Sequence, residues 1–185
     1  MKLGFYGGTF DPIHHGHLIL AREAVERLRL DRLTFIPNAR SPHKPGSVPA
    51  PDDLRLEMIR AAIEGEPHFD VEDMELTRSG VSYTIDTIVA LRERHGDGAQ
   101  FFYLIGEDNL GALSTWRRID ELDKMVTFVV LSRAESDTPH PYQTIRRRID
   151  ISATEIRKRV ANGASIRYLV PDKVHDLILR NNLYQ

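Results

Sequence analysis

The residues best suited to do chemistry lie together in Gly7-Gly8-Thr9-Phe10-Asp11-Pro12-Ile13-His14-His15-Gly16-His17. A short apolar strand pattern, Leu3–Tyr6, precedes this run and an amphipathic helix pattern follows it. The order is therefore strand, tight glycine turn, helix N-terminus. The first turn of a helix presents unpaired N–H groups and a partial positive charge, which suits an anion. His14 and His17, one helical turn apart, bring two imidazoles to the same edge. Backbone donors and two imidazoles aimed at one point describe a phosphate site. Zinc is disfavoured, because the chain has no cysteine and no His-Glu-x-x-His pattern. No third glycine completes a GxGxxG fingerprint, and no Gly-Lys-Ser/Thr closes a Walker loop.

A second cluster lies in Ile151-Ser152-Ala153-Thr154-Glu155-Ile156-Arg157. Ser152 and Glu155 fit a Ser-x-x-Glu capping box, and Asn162-Gly163 closes the helix that follows. Capping leaves Thr154 and Arg157 over, one turn apart at a helix N-terminus. A hydroxyl and a guanidinium beside free N–H groups make a second anion site. Alone, Arg157 reads equally well as a solvated surface charge.

Both clusters need a scaffold. Strand patterns at Leu3–Tyr6, Leu33–Ile36, Phe69–Leu76, Phe101–Ile105 and Thr127–Leu131 alternate with helix patterns at Gly16–Leu28, Pro51–Glu64, Tyr83–His95 and Arg118–Lys124. This alternation predicts an α/β fold, a Rossmann-like doubly wound parallel sheet with helices on both faces. Ligands of such sheets lie beyond the carboxyl ends of the strands. Gly7-Gly8, Pro37-Asn38, Gly106-Glu107-Asp108 and Ser132-Arg133 should then face one crevice with His14 and His17. Pro171 opens a last helix through Leu179 that packs on the sheet. The longer loops, Asn38–Pro51 and Ala134–Arg148, are too short for domain linkers, so residues 1–185 read as one domain.

Composition narrows the function classes. With 185 residues, 41% hydrophobic, 28% charged and a net charge of −2, the chain has no polyanion-binding character. Arg146-Arg147-Arg148 lacks interleaved aromatics, which argues against nucleic acid. The absence of cysteine suits a cytoplasmic setting. No long apolar run suggests a membrane span, and the strand starting at once after Lys2 argues against a signal peptide.

His14-His15-Gly16-His17 resembles the (His/Thr)-x-Gly-His signature of the adenylyltransferase and cytidylyltransferase superfamily. Ile151–Arg157 resembles its Ile-Ser-x-Thr-x-x-Arg, with Ala153 where that family usually has serine. From Met1 to Leu183-Tyr184 the chain is similar to the bacterial nicotinate-nucleotide adenylyltransferases. The resemblance implies a nucleotidyltransferase type of fold. It also implies attack by a nucleotide 5′-phosphate on the α-phosphorus of ATP, releasing pyrophosphate. The acceptor is then the nucleophile. His14, His17 and Arg157 are the implied catalytic groups. Gly7, Gly8, Thr9, Phe10, Gly106, Ser152 and Thr154 would join them around ATP, with Asp108 on its ribose. Mg2+ would travel with ATP, held mainly by phosphates and largely without protein ligands. Asp11 is the rival ligand, but the Asp-Pro pair reads better as a turn.

The acceptor side follows from the same resemblance. Ser82-Tyr83-Thr84-Ile85-Asp86-Thr87 is similar to the family's Ser-Tyr-Thr-x-Asp-Thr, which with a downstream tryptophan lines the pyridine pocket. The implied residues are Tyr83, Thr84 and Trp116. Pro42-His43-Lys44 resembles the family's Pro-His-Lys, making Lys44 a phosphate contact, and Arg133 is treated likewise. Without the resemblance Trp116 reads as core and Lys44 as a solvated lysine. The implied partners are ATP and nicotinate mononucleotide, with neither nucleic acid nor membrane and with oligomeric state left open. Rival readings are transfer to nicotinamide mononucleotide or phosphopantetheine, and a non-catalytic nucleotide sensor.

Overall fold

In the computed structural model, which describes residues 1–39, 49–78, 81–133 and 139–185, six strands form one sheet. They are β1 (Lys2–Gly8), β2 (Arg32–Pro37), β3 (Phe69–Val71), β4 (Gln100–Gly106), β5 (Thr127–Ser132) and β6 (Gln143–Arg146). All pair in parallel, in the order β3-β2-β1-β4-β5-β6. The direction of winding reverses between β1 and β4, which puts a crevice beyond their carboxyl ends. Gly8 ends β1 and Gly106 ends β4, so the glycine turn and the Gly106–Asp108 segment flank that crevice.

Alternation along the strands divides the core. Tyr6, Leu33, Phe35, Phe102, Leu104, Val129 and Leu131 point to one face. There they pack under α1 (His15–Leu28), α2 (Asp52–Ile63), α7 (Ala153–Ala161) and α8 (Asp172–Arg180). Leu3, Phe5, Phe101, Tyr103, Ile105, Phe128 and Val130 point the other way. They meet α4 (Thr84–His95), α5 (Leu110–Leu113) and α6 (Ile119–Met125). Each large apolar side chain so buried contributes about 1.5–3 kcal/mol. Both faces are covered, so the strands are near-continuous apolar runs, as a parallel sheet requires.

Two segments differ from expectation. Phe69–Leu76 is strand only as far as Val71, then turns into α3 (Met74–Thr77). β3 is an edge, paired only with β2 from Leu33↔Phe69 to Phe35↔Val71. Past that register the chain has no strand to follow, and it turns Glu75 into the interior, 5% exposed. The second difference is β6, expected as loop. Ile145 is its one fully buried residue, and the exposed Arg146 closes the strand. One apolar residue in four gives no periodicity to detect. Pro42, His43 and Lys44 lie outside the described residues.

Candidate active site

β1 delivers the glycine turn against the opposite wall. A Cβ on Gly7 would overlap the Tyr103 hydroxyl, so only glycine lets the backbone lie there. Phe10 adopts the left-handed region, with φ of 47°, while its ring is buried against Tyr6, Phe35 and His17. That packing offsets a backbone cost of about 1–3 kcal/mol. His14, 1% exposed, caps α1 in extended conformation. Its ring stacks on that of His17, with centroids 3.7 Å apart.

The backbone N–H of His14 donates to Nδ1 of His17 at 3.3 Å. An accepting Nδ1 puts the proton of neutral His17 on Nε2, so that nitrogen is a donor. Burial keeps both rings neutral. The pKa of His14 is pushed down to about 3 by burial, then by Arg133 and His15. That of His17, packed among Tyr6, Phe10 and His14, falls well below the ordinary range through burial, then His14 and Arg133. Neither ring nitrogen of His14 has a hydrogen-bond partner among the described residues. Buried polar atoms are rarely left so, which points to a ligand.

The second candidate anion site abuts the first. Ser152 caps α7, its Oγ accepting the Glu155 N–H at 3.1 Å. Arg157, one turn into α7, donates from Nη1 to the Asp11 carbonyl at 2.6 Å, with Nη2 3.4 Å from Thr154 Oγ1. A Cβ on Gly16 would meet the His14 ring at 3.0 Å and the Ile151 carbonyl at 3.4 Å. The absent side chain therefore lets the N-termini of α1 and α7 come together. Arg133, after β5, donates to the same Ile151 carbonyl at 2.7 Å.

The far wall is built from α4 and the end of β4. Tyr83 caps α4, and its ring lies under the Arg117 guanidinium at 4.7 Å. Behind it, Ser82 Oγ donates to the Glu75 carbonyl at 3.0 Å, and Thr87 Oγ1 to the Glu75 carboxyl at 2.7 Å. Burial raises the pKa of that carboxyl, against the opposing effects of Thr87 and Arg78. Trp116 meets Tyr103 and Phe128 edge-on, with centroids 6.0 and 6.3 Å away. Its buried Nε1 has no partner among the described residues. A Cβ on Gly106 would stand 2.5 Å from Asp108 Oδ1, so glycine admits that carboxylate.

Gly7, Gly8, Thr9, Phe10, His14, His17, Tyr83, Thr84, Gly106, Asp108, Trp116, Arg133, Ser152, Thr154 and Arg157 all line one crevice of about 1220 Å³. Of the candidate ATP- and acceptor-binding residues, Lys44 alone is outside the described part. The volume exceeds the ~300–1,000 Å³ common for small-molecule pockets, leaving room for two nucleotide-sized ligands.

The description "Cytidylyltransferase-like" belongs to the family whose model matches residues 5–159. A curated "Probable nicotinate-nucleotide adenylyltransferase" of Geobacillus thermodenitrificans is 44% identical over 186 residues, covering 99% of this chain and 86% of the relative. Another of that name, from Exiguobacterium sibiricum, is 44% identical over 189 residues, covering 100% and 99%. The chain belongs to the nicotinate-nucleotide adenylyltransferase family. The solved Plasmodium falciparum nicotinic acid mononucleotide adenylyltransferase, complexed with NaAD, shares the fold with a TM-score of 0.83 at 20% identity. That superposition covers 99% of this chain and 97% of the other.

In this family member the structure adds residues that sequence reasoning passed over. Arg55 is fully buried and binds three carbonyls, of Thr9 at 2.6 Å, Asn38 at 2.9 Å and Ala50 at 3.2 Å, plus Asp52 at 2.5 Å. It thus ties α2 to both the glycine turn and the end of β2. In the sequence Arg55 looks like any charged helix residue, though its spacing to Met58 and Ile59 places it on the buried stripe. Asn38, expected at the crevice from its place after β2, lines it with a buried Oδ1 that has no partner among the described residues. Asp11 is not an open carboxylate: Tyr184 and the Ala50 N–H both bind its Oδ1.

Proposed function

We propose that residues 1–185 act as one nucleotidyltransferase domain that joins ATP and nicotinate mononucleotide into deamido-NAD and pyrophosphate. One observation carries the site reading: the starts of α1 and α7 meet at Gly16 and the Ile151 carbonyl and open side by side on one crevice, with Arg157 tied to the turn before α1 by its 2.6 Å bond to the Asp11 carbonyl. A triphosphate laid across them meets backbone N–H groups, two imidazoles and a guanidinium.

The acceptor's 5′-phosphate oxygen attacks the α-phosphorus, and the bond to the β-phosphate oxygen breaks. The chain supplies orientation and charge stabilisation. His17 donates from Nε2 to oxygens of the transferring group, and His14 beside it serves the same group. Arg157 and Thr154, with Ser152 at the helix start, hold the leaving β- and γ-phosphates. Asp108 accepts hydrogen bonds from the ribose diol. Tyr83, Thr84 and Trp116 enclose the pyridine ring, and free N–H groups at the start of α4 match two carboxylate oxygens. Arg133 and Lys44 contact the acceptor phosphate.

Magnesium would enter with ATP and offset charge on the phosphate oxygens. Among the described residues no cluster of three or more His, Cys, Asp or Glu forms a metal cage. Asp11 is already engaged, so the residues fit an ion carried by phosphates. No helix among the described residues is long and apolar enough to cross a membrane. Cytoplasmic synthesis of a dinucleotide is the setting we infer.

The test is pyrophosphate release with ATP and magnesium, offering nicotinate mononucleotide, nicotinamide mononucleotide or phosphopantetheine in parallel. Strong preference for the nicotinate form is expected. Preference for either other acceptor overturns the pocket assigned to Tyr83, Thr84 and Trp116. ATP binding without pyrophosphate release from any acceptor overturns the enzyme reading in favour of a sensor.

A further inference from the structure

We propose that Tyr184 and Asp11 are positioning residues that hold the Arg157 guanidinium ready for the triphosphate. The inference rests on the reading of Arg157 as a phosphate-binding group. Asp11 is 7% exposed, so its carboxylate relies on protein donors. Its Oδ1 accepts the Tyr184 hydroxyl at 2.6 Å and the Ala50 N–H at 3.1 Å. Both donors grip the same oxygen.

The consequence appears at the other oxygen. Oδ2 stands 3.8 Å from Arg157 Nη1, an ion pair without a hydrogen bond. Nη1 instead donates to the Asp11 backbone carbonyl at 2.6 Å. The guanidinium is therefore anchored by a neutral group and only approached by the anion. Its other edge, Nη2, lies toward Thr154 and the crevice.

A freed carboxylate would turn about its last torsion and close on Arg157. Two parallel N–H···O bonds would then compete with the phosphate for the same donors. Tyr184 and Ala50 prevent this by occupying Oδ1. The hydroxyl of Tyr184 is held protonated by burial and by its bond to Asp11, which raise its pKa, so it remains a donor.

The test is a double-mutant cycle on steady-state kinetics. Tyr184→Phe removes the hydroxyl and keeps the ring. Hydrogen bonds to charged groups are strong enough that kcat should fall about tenfold. The acceptor KM should stay within about twofold of wild type, because that pocket is on the other wall. In an Arg157→Ala background Tyr184→Phe should cost nothing further, since nothing is left to position. Tyr184→Leu, which also removes the ring, separates packing from hydroxyl: its melting point falls, while its kcat loss matches that of Tyr184→Phe. An unchanged kcat in Tyr184→Phe overturns the proposal. So does a tenfold loss repeated in full on Arg157→Ala, or a Leu variant far slower than the Phe variant. If Arg157→Ala by itself turns over normally, the phosphate reading of Arg157 falls, and this proposal with it.

Discussion

On the proposed reading His17 has two tasks for its two nitrogens, and substitutions can separate them. Nδ1 accepts the His14 N–H at 3.3 Å and so closes the start of α1. Nε2 carries the proton and is the nitrogen we assign to the transferring phosphate. His17→Ala removes both. Loss of a helix-start acceptor costs about 1 kcal/mol, lowering the melting temperature by about 2–4 °C in a chain of this length. Losing one donor to developing charge costs about 2.7–4 kcal/mol in the transition state, or about 10²–10³ in kcat. Turnover should therefore collapse while the fold stays intact. His17→Asn places an amide oxygen near the Nδ1 position, so it should recover most of the stability and little of the turnover. The assay is pyrophosphate release at saturating substrates, paired with thermal melting by circular dichroism. A folded His17→Ala enzyme within about tenfold of wild-type kcat would refute the reasoning, as would full recovery of turnover in His17→Asn.

Three further outcomes are expected. Arg55→Met strands one buried and two partly buried carbonyls and removes a fully buried cation from its partners, so urea unfolding should show a loss of about 3–5 kcal/mol. A loss under about 1 kcal/mol would show that α2 holds the glycine turn without it. Trp116→Ala removes a stacking face worth about 1–3 kcal/mol, raising the acceptor KM about 5- to 150-fold, with the ATP KM within about twofold. An unaltered acceptor KM would return Trp116 to a purely structural place beside Tyr103 and Phe128. Glu75 tests pH dependence: burial raises its pKa in the folded state, so its contribution to stability is full below the unfolded pKa and is lost as pH rises through the folded value. Glu75→Gln keeps the acceptor for Thr87 without the charge, so it should be more stable than wild type at pH 8, with the gap closing toward pH 4. A Gln variant less stable at both pH values would contradict this sign.

Much of the fold is local enough to be legible in the chain. Leu3–Tyr6, Leu33–Ile36, Phe101–Ile105 and Thr127–Leu131 are near-continuous apolar runs, and each is a strand within two residues of its expected ends. Gly163, past the end of α7, has φ of 65°, as the Asn162-Gly163 pair implies. β6 escaped because an edge strand with one buried residue carries almost no pattern. Glu75 escaped because its burial depends on where the chain bends after β3, which pairing with β2 decides.

The site divides along the same line. His14 and His17 are neighbours by helical spacing, and Thr154 and Arg157 likewise, so each half was readable from residues within one turn of each other. That Arg157 is anchored on Asp11, and Asp11 on Tyr184, joins residues 146 and 173 positions apart. The same holds for Arg55, whose helix spacing betrays burial but not the carbonyls of Thr9 and Asn38 that it ties together. Periodicity, turns and caps are short-range and leave their mark in the order of residues. The sequence by itself thus determined the four central strands, the longer helices and the two helix starts proposed to bind anions. Which distant donor meets which acceptor was decided by the tertiary structure alone, because that choice is made only when packing brings the N-termini of α1 and α7 together.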